Sequence, residues 1–206
     1  LGLVVAHLMA LHDVGSNNPD GVEIKATKDA KGVPLDGIPF HPYYTVHDIF
    51  AVSMFLMVFS AVIFFAPEFG GYFLEYNNFI PADPLVTPLH IAPVWYFTPF
   101  YSILRAVPNK LLGVISMGAA VAILFVVPWL DRSRVNSIRY RGIYYKIALA
   151  VFVVSFFGLG YLGTLPPDPI RTIFARIFFL GYFGFFLLMP VYTTFDKVKT
   201  ERTRLS

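Results

Sequence analysis

Two histidines close to the first residue, His7 and His12, are the side chains in this sequence most able to do chemistry. They stand five residues apart in the run VVAHLMALHDVGSNNP. On an α-helix this spacing separates two side chains by roughly 140° around the axis and about 7.5 Å along it, so one metal ion cannot easily take both. A buried neutral imidazole can ligate haem iron or be a hydrogen-bonded structural residue, and the spacing leaves both interpretations open for His7.

A second group of polar side chains lies near the ends of the first two apolar segments. Ser16 follows His12, and the adjacent pair His47 and Asp48 opens a later apolar run. Ionisable groups at a membrane boundary are costly unless they are paired, ligating or solvated. These residues therefore either share a functional pocket or are boundary side chains that reach water.

The stretch from residue 67 to residue 110 combines repeated prolines with many aromatic residues, among them the sequence PVWYF and, after it, Tyr101. Prolines end helices, and large aromatic rings favour burial. An aromatic loop of this length usually builds a site rather than only connecting two spans. Considered without further context, these aromatics would equally suit anchoring at a membrane interface.

The composition indicates which elements must hold these residues. Of 206 residues, 56% are hydrophobic and 14% are charged, whereas a soluble domain has about 25% charged residues. There is no cysteine, so disulfides and Cys-ligated metal centres are excluded. The sequence predicts an integral membrane protein in which His or carboxylate would hold any metal.

Four apolar segments are long enough to span a hydrocarbon core of about 30 Å. They are residues 46–66, 111–130, 145–164 and 170–192. Residues 1–12 are too short and lack the features of a signal peptide, so we expect them to be the end of a further transmembrane helix whose beginning lies upstream. The predicted fold is an all-α integral membrane protein with the end of one transmembrane helix, four full ones and short helices in a long outer loop.

Basic residues orient these spans. Residues 131–144 and the tail, residues 193–206, are rich in Lys and Arg, which places both in the cytoplasm by the positive-inside rule. The loop of residues 13–45 is then cytoplasmic, and residues 67–110 and the turn of residues 165–169 are periplasmic. We interpret the basic runs as topology signals rather than as a nucleic-acid surface.

Three ordered motifs resemble those of cytochrome b of ubiquinol–cytochrome c oxidoreductase, the cytochrome bc complex. They are HLMALHDVGSNNP, IPFHPYYTVHD and ADPLVTPLHIAPVWYFTPFYSILRAVPNKLLGV, and DRS follows the next span. The similarity runs along nearly the whole chain and covers the C-terminal half of that family's subunit.

The resemblance implies an inner, quinone-reducing site. His7 matches a haem-ligating histidine whose axial partner is absent from this chain. His12 matches a residue that contacts quinone, Ser16 and Phe40 match wall residues, and Asp48 matches the acid on the opposite side. A His and a carboxylate that bracket a quinone could hydrogen-bond its oxygens and deliver two protons. His47 stands where many relatives have lysine and is a possible proton relay.

The resemblance also implies an outer, quinol-oxidising site. It is formed by Pro93, Val94, Trp95, Tyr96, Phe97 and Tyr101. The familiar form of the family has glutamate at the position of Val94, and valine can neither hydrogen-bond nor titrate. Candidates for the proton acceptor are Glu68, Glu75, Asp83, His90 and Tyr101 within the loop and, outside this chain, a histidine of the partner iron–sulfur subunit. Glu75 and His90 are also possible proton relays.

The expected cofactors are haem b, two in the full-length subunit with one ligand here, and ubiquinone. The expected partners are a Rieske-type iron–sulfur protein, a cytochrome c-type subunit, the N-terminal half of cytochrome b and lipid, in a dimeric complex of a bacterial inner membrane. The expected function is electron transfer from quinol to quinone in a proton-motive Q cycle. A proton- or solute-coupled transporter without haem is the alternative, although no internal repeat supports it.

Overall fold

A computed structural model describes residues 1–16, 18–21, 23–71, 76–88 and 90–200. These residues form helices and no β-strand, as the sequence predicts. The helices are α1 Gly2–Val14, α2 Tyr43–Phe65, α3 Thr98–Ala106, α4 Lys110–Ala122, α5 Val127–Leu130, α6 Ile143–Thr164, α7 Pro169–Leu187 and α8 Met189–Phe195.

Four apolar helical segments of 19 to 23 residues are long enough to cross a membrane. They are Tyr43–Phe65, Lys110–Leu130, Ile143–Thr164 and Pro169–Leu187. The second and third begin within two residues of the predicted spans, and the first begins three residues earlier. The described part of the chain therefore contains the predicted number of full spans.

Prolines divide two segments that the hydrophobic pattern treats as continuous. The last predicted span, residues 170–192, ends as α7 at Leu187, and α8 begins at Met189. Pro190 has no N–H to donate to the carbonyl of Phe186, and its ring would clash with that carbonyl in a continuous helix. Pro128 has the same effect in residues 111–130, where Ile123–Val126 form a 3-10 turn between α4 and α5.

The aromatic stretch of residues 67–110 contains the predicted short helices. Three 3-10 turns at Phe69–Gly71, Tyr76–Phe79 and Trp95–Phe97 precede the amphipathic helix α3. This helix buries Thr98, Pro99, Ser102, Ile103 and Ala106 on one face. It is the element that ties the aromatic loop to the spans.

The structure divides into two compact units. The first comprises Leu1–Ile38, Arg132–Lys146 and Pro190–Ser206, and the second comprises Pro39–Asp131 and Ile147–Met189.

In the first unit, the chain following α8 supplies a cap for the start of α6. The Asp196 carboxylate accepts from the backbone N–H of Gly142 at 2.7 Å and of Tyr144 at 3.2 Å. A carboxylate satisfies the unpaired N–H groups of a helix start and suits the positive end of its dipole. The backbone N–H of Lys199 also donates to the Tyr140 carbonyl at 2.8 Å. The tail is thus fixed to the loop that precedes α6.

In the second unit, α7 contributes several buried residues to a core that α3, α4 and α6 complete. Tyr182 is 2% exposed, and its hydroxyl donates to the backbone carbonyl of Ala120 in α4 at 2.8 Å. Its ring belongs to an aromatic cluster with Phe152, Phe156, Phe185 and Phe186. A buried tyrosine needs such a hydroxyl partner, and this bond also fixes where α7 meets α4.

Helices α1 and α2, both described throughout, bury none of their side chains. Their exposed residues are almost all apolar, including Leu3, Met9, Phe55 and Phe59. In water such surfaces would be unstable, so these helices require lipid or another chain against them.

Candidate functional site

His7 lies on the exposed apolar surface of α1 and makes no hydrogen bond with another described residue. The residues three and four positions away on the same face are Leu3, Val4, Ala10 and Leu11. An imidazole with no competing partner and apolar neighbours suits ligation of haem iron and contact with a porphyrin edge. Among the described residues, no group of three or more His, Cys, Asp or Glu side chains could hold a metal ion.

His12 lies in the last turn of α1, and a backbone contact fixes its ring. Its Nδ1 is 2.7 Å from the carbonyl oxygen of Leu8. A carbonyl oxygen only accepts, so Nδ1 carries the hydrogen and donates. In the neutral ring Nε2 is then an acceptor, and in the protonated ring it is a second donor. The hydrogen bond at Nδ1 therefore leaves Nε2 of His12 as the ring nitrogen that could exchange a proton.

Ser16 follows the end of α1 and lines a polar cavity of about 340 Å³ in the first unit. Lys25, Asn136 and Arg141 line the same cavity. Arg141 is 8% exposed, and its guanidinium lies 4.2 Å from the centre of the Tyr145 ring. The cavity is large enough for several water molecules and offers them hydrogen-bond partners.

Phe40, His47 and Asp48 lie at the start of α2, in the second unit. Phe40 stacks on Tyr44 with ring centroids 5.9 Å apart, and Tyr44 meets the ring of His47 edge-on at 6.1 Å. Asp48 is exposed one turn after Tyr44, on the same stripe of the helix. The sequence pattern alone did not indicate Tyr44 as a site residue, although its four-residue spacing from both Phe40 and Asp48 could have identified it.

The structure therefore brings together two subsets of the predicted inner site, each within its own unit. His12 and Ser16 lie in the first unit, and the row from Phe40 to Asp48 lies in the second. The pocket that would combine them stays a prediction.

The predicted outer site centres on the 3-10 turn Trp95–Phe97, which directly precedes α3. The Trp95 and Tyr96 rings are 5.6 Å apart, and the Tyr96 and Phe97 rings are 4.8 Å apart. All three are more than half exposed, whereas the residue after them, Thr98, is 2% exposed. The three rings of the turn thus form an exposed aromatic surface, and the residue that follows them is buried.

Thr98 is the anchor of this turn. Its hydroxyl donates to the Trp95 carbonyl at 2.6 Å. Its own backbone carbonyl packs so closely against Gly163 of α6 that a Cβ at residue 163 would collide with it. Pro93 is partly buried and Val94 is 38% exposed at the start of the turn. Val94 adds only an apolar contact to this surface.

Tyr101 lies one turn further along α3 and supports Arg105. The Arg105 guanidinium is 4.5 Å from the centre of the Tyr101 ring. It donates to the carbonyls of Leu162 at 2.7 Å and Leu165 at 3.0 Å, which closes the C-terminal end of α6. Burial lowers the pKa of Arg105 from its ordinary value, and the charge interaction with Tyr101 opposes that shift. Arginine pKa values are so high that the group stays charged.

His90 is the one predicted relay of the outer loop whose contacts are described. Its Nε2 is 3.0 Å from the carbonyl oxygen of Thr164, and its own carbonyl accepts from the Asn77 side chain at 3.0 Å. Because a carbonyl only accepts, Nε2 carries the hydrogen and Nδ1 is an acceptor in the neutral ring. Glu75 lies outside the described residues. Asp83 instead accepts from the backbone N–H of Leu85, as a turn residue.

Comparison with known proteins gives one family and several relatives. The family described as cytochrome b(C-terminal)/b6/petD matches residues 81–183. Cytochrome b of Allochromatium vinosum is 54% identical over 100% of this chain and 51% of its own length. Cytochrome b of Rhodospirillum rubrum is 49% identical over 96% of this chain and 46% of its own length.

A solved structure has the same fold. A chain of a hyperthermophilic respiratory complex III matches with a TM-score of 0.82 and 34% identity, over 94% of this chain and 47% of that chain. The protein described here spans about half the length of the curated cytochromes b that it matches.

Proposed function

Since the chain belongs to the cytochrome b(C-terminal)/b6/petD family, we propose that it is the haem- and quinone-binding C-terminal part of a cytochrome bc complex. Its four apolar spans make it a multi-pass integral membrane protein, and a bacterial inner membrane fits its bacterial relatives. The observation that carries the proposal is the pair of dissimilar histidines on α1: His7 has apolar neighbours and bonds to no other described residue, whereas the ring of His12 is held by a backbone carbonyl.

In this proposal His7 would hold a haem b together with a second ligand from the N-terminal half of cytochrome b. Bound haem would carry single electrons between the two quinone sites. The chain's own part is to offer an imidazole nitrogen from a rigid helix and an apolar surface around it. Helices α1 and α2 bury none of their side chains. Their exposed surfaces support the proposal that the N-terminal half of cytochrome b packs against them and encloses the haem.

At the inner site, His12 and Asp48 would supply the two protons that a quinone takes up on reduction. Protonated His12 donates from Nε2 to one quinone oxygen and ends neutral, with its Nδ1–H still on the Leu8 carbonyl. The Asp48 carboxyl would donate to the other oxygen. Ser16 and Phe40 form walls, and the polar cavity beside Ser16 offers water a route to this end of α1.

At the outer site, the exposed rings of Trp95, Tyr96 and Phe97 would pack on a quinol head and limit the entry of water. The Val94 side chain cannot accept the quinol proton, so another group must accept it. We propose His90, because its Nδ1 is an acceptor while Nε2 is held by Thr164. His47 keeps its proposed role as a relay at the inner side, next to Tyr44.

The proposed reaction is a Q cycle. One electron of each quinol would pass to a Rieske-type iron–sulfur protein and then to a cytochrome c-type subunit, and the other would cross to the inner quinone. The complex would be dimeric and lipid-bound. The relatives described above are cytochromes b, so nothing favours the transporter alternative.

The haem assignment is tested by His7→Leu in the intact complex. We expect one of the two b-type signals to disappear from the reduced-minus-oxidised absorbance spectrum, because leucine cannot ligate iron. Met9→Leu, a change on another face of the same helix, is the control and should leave both signals. Two unchanged signals in His7→Leu would contradict the assignment.

The inner quinone site is tested by His12→Asn and Asp48→Asn. Each removes a proton donor, so we expect haem reoxidation by quinone to slow by roughly 100-fold, while outer quinol oxidation in the first turnover stays unchanged. Stopped-flow absorbance at the haem bands measures both steps. An equal loss at both sites would count against the assignment of these residues to the inner site.

A further inference from the structure

A lysine from the following loop closes the C-terminal end of α1. Nζ of Lys25 donates to the backbone carbonyl of His12 at 3.2 Å and to that of Asp13 at 2.8 Å. The last carbonyls of a helix have no partner within it, and the negative end of the helix dipole favours a cation. One ammonium group therefore satisfies two of these acceptors, and one of them belongs to His12.

Gly15 makes room for this contact. Its φ of +82° is a backbone angle that residues other than glycine rarely adopt. Its N–H donates to the Leu11 carbonyl at 2.8 Å. A Cβ at residue 15 would lie 3.1 Å from Cε of Lys25. Glycine therefore suits the backbone conformation at residue 15, and a side chain there would require the lysine stem to shift by a few tenths of an ångström.

The chain shortly before Lys25 is attached to the loop that precedes α6, within the first unit. The Ser137 hydroxyl donates to the Pro19 carbonyl at 2.5 Å, and Arg139 pairs with Asp20 at 2.7 Å. The Asp20 side chain is 16% exposed, so this ion pair is shielded on one side from water. These contacts limit how far the chain that leads to Lys25 can move away from that loop.

We propose that Lys25 is a positioning residue for His12. The inference rests on the proposed role of His12 as a quinone contact. The His12 ring is attached to its own helix through Nδ1 and the Leu8 carbonyl, so Nε2 moves with the last turn of α1. Without the lysine, the His12 and Asp13 carbonyls lose a charged partner and the turn frays. Lys25 acts through His12 and does not contact quinone.

The test uses the intact complex with Lys25→Gln, Lys25→Arg and Lys28→Gln. Lys28 is an exposed lysine of the same loop, and its side chain makes no hydrogen bond or ion pair with another described residue, which makes it a matched control. Two quantities are measured: haem reoxidation by quinone, and the dissociation constant of a short-chain ubiquinone at the inner site without turnover. Rates are expressed per haem, so that only assembled complex is counted.

We expect Lys25→Gln to slow haem reoxidation roughly fivefold and to weaken quinone binding by a similar factor, the size of a lost charge at a helix end. Lys25→Arg should recover most of both, because it keeps a cation of sufficient length. Lys28→Gln and outer quinol oxidation should stay at the wild-type level. An equal defect in the arginine and glutamine variants, or a defect in Lys28→Gln, overturns the proposal.

His12→Asn, measured in parallel, distinguishes the proposed role of His12 from the proposed role of Lys25. A wild-type rate in His12→Asn overturns the proposed role of His12, whereas a slow His12→Asn beside a wild-type Lys25→Gln overturns the positioning role alone. If Lys25→Gln does not assemble, Lys25→Met, which keeps an unbranched stem without the charge, is measured in the same way. A slower inner-site rate in Lys25→Met then supports the proposal, and an unchanged rate overturns it.

Discussion

At the residue scale, His12 and His90 share one arrangement of the imidazole ring. In each, one ring nitrogen donates to a backbone carbonyl, that of Leu8 or that of Thr164. The carbonyl fixes the tautomer and the ring plane and leaves one nitrogen to exchange a proton. Both rings are thus suited to proton transfer by backbone contacts alone.

His90→Gln tests this arrangement at the outer site. Glutamine can still donate to the Thr164 carbonyl, so the loop should stay in place, but it cannot accept a proton from quinol. We expect outer quinol oxidation to slow roughly tenfold or more, as for loss of a general base, while haem content is unchanged. Pre-steady-state haem reduction measures it. A wild-type rate would return the choice to the other acids of the loop or to a partner subunit.

The sequence could indicate these residues but not their partners. The five-residue spacing of His7 and His12 separates their roles without a structure, because helix geometry is local. The Thr164 carbonyl lies 74 residues from His90, and Lys25 lies 13 residues from His12. Contacts over such separations depend on how elements pack, so no local pattern predicts Arg105 as the cap of α6 or Lys25 as the cap of α1.

At the scale of elements, the outer aromatic turn depends on the fit between α3 and α6. Gly163→Ala would place a Cβ against the Thr98 carbonyl and force the two elements apart. We expect a loss of about 1–3 kcal/mol in stability and slower outer quinol oxidation, because the Trp95–Phe97 turn is anchored at Thr98. Thermal unfolding of the complex followed by haem absorbance, together with quinol oxidation rates, measures both.

Gly118→Ala is the matched control, since a Cβ at this helical glycine of α4 meets no atom within 4 Å. It should leave stability and rates unchanged. Equal effects of the two alanines would show that the contact between Gly163 and Thr98 is not what holds the turn.

Element bounds illustrate what hydrophobicity can predict and what it cannot. Apolar length identifies all four spans, because crossing a bilayer requires a minimum length. It does not detect the breaks at Pro128 and Pro190, because those residues lie in runs that stay apolar and their effect is on the backbone. The proline rule, applied within the predicted spans, would have predicted both.

At the scale of the whole molecule, the helices differ in how much of their surface the described chain covers. Helices α1 and α2 bury none of their side chains, whereas α7 buries Ala175, Tyr182, Phe185 and Phe186. This difference agrees with a chain that spans about half of its relatives' length. The sequence predicted the fold class, and we propose that the N-terminal half of cytochrome b supplies the surroundings of His7.

Site-directed spin labelling tests which surfaces are covered. The sequence has no cysteine, so single cysteines introduced from residue 50 to residue 60 of α2 can be labelled without background from this chain. In the assembled complex we expect label mobility to vary with a period of about 3.6 residues, since one face packs on protein and the other on lipid. Uniform mobility would argue against a protein neighbour along α2.

The Asp196 cap has a consequence for the order of events during synthesis. The carboxylate that accepts from the N–H of Tyr144 is made 52 residues after it. When α6 leaves the ribosome and enters the bilayer, its cap does not yet exist, and its first N–H groups must stay hydrated. The start of α6 therefore gains its cap only after the tail has been made. A chain that stops before residue 196 would insert α6 without this cap.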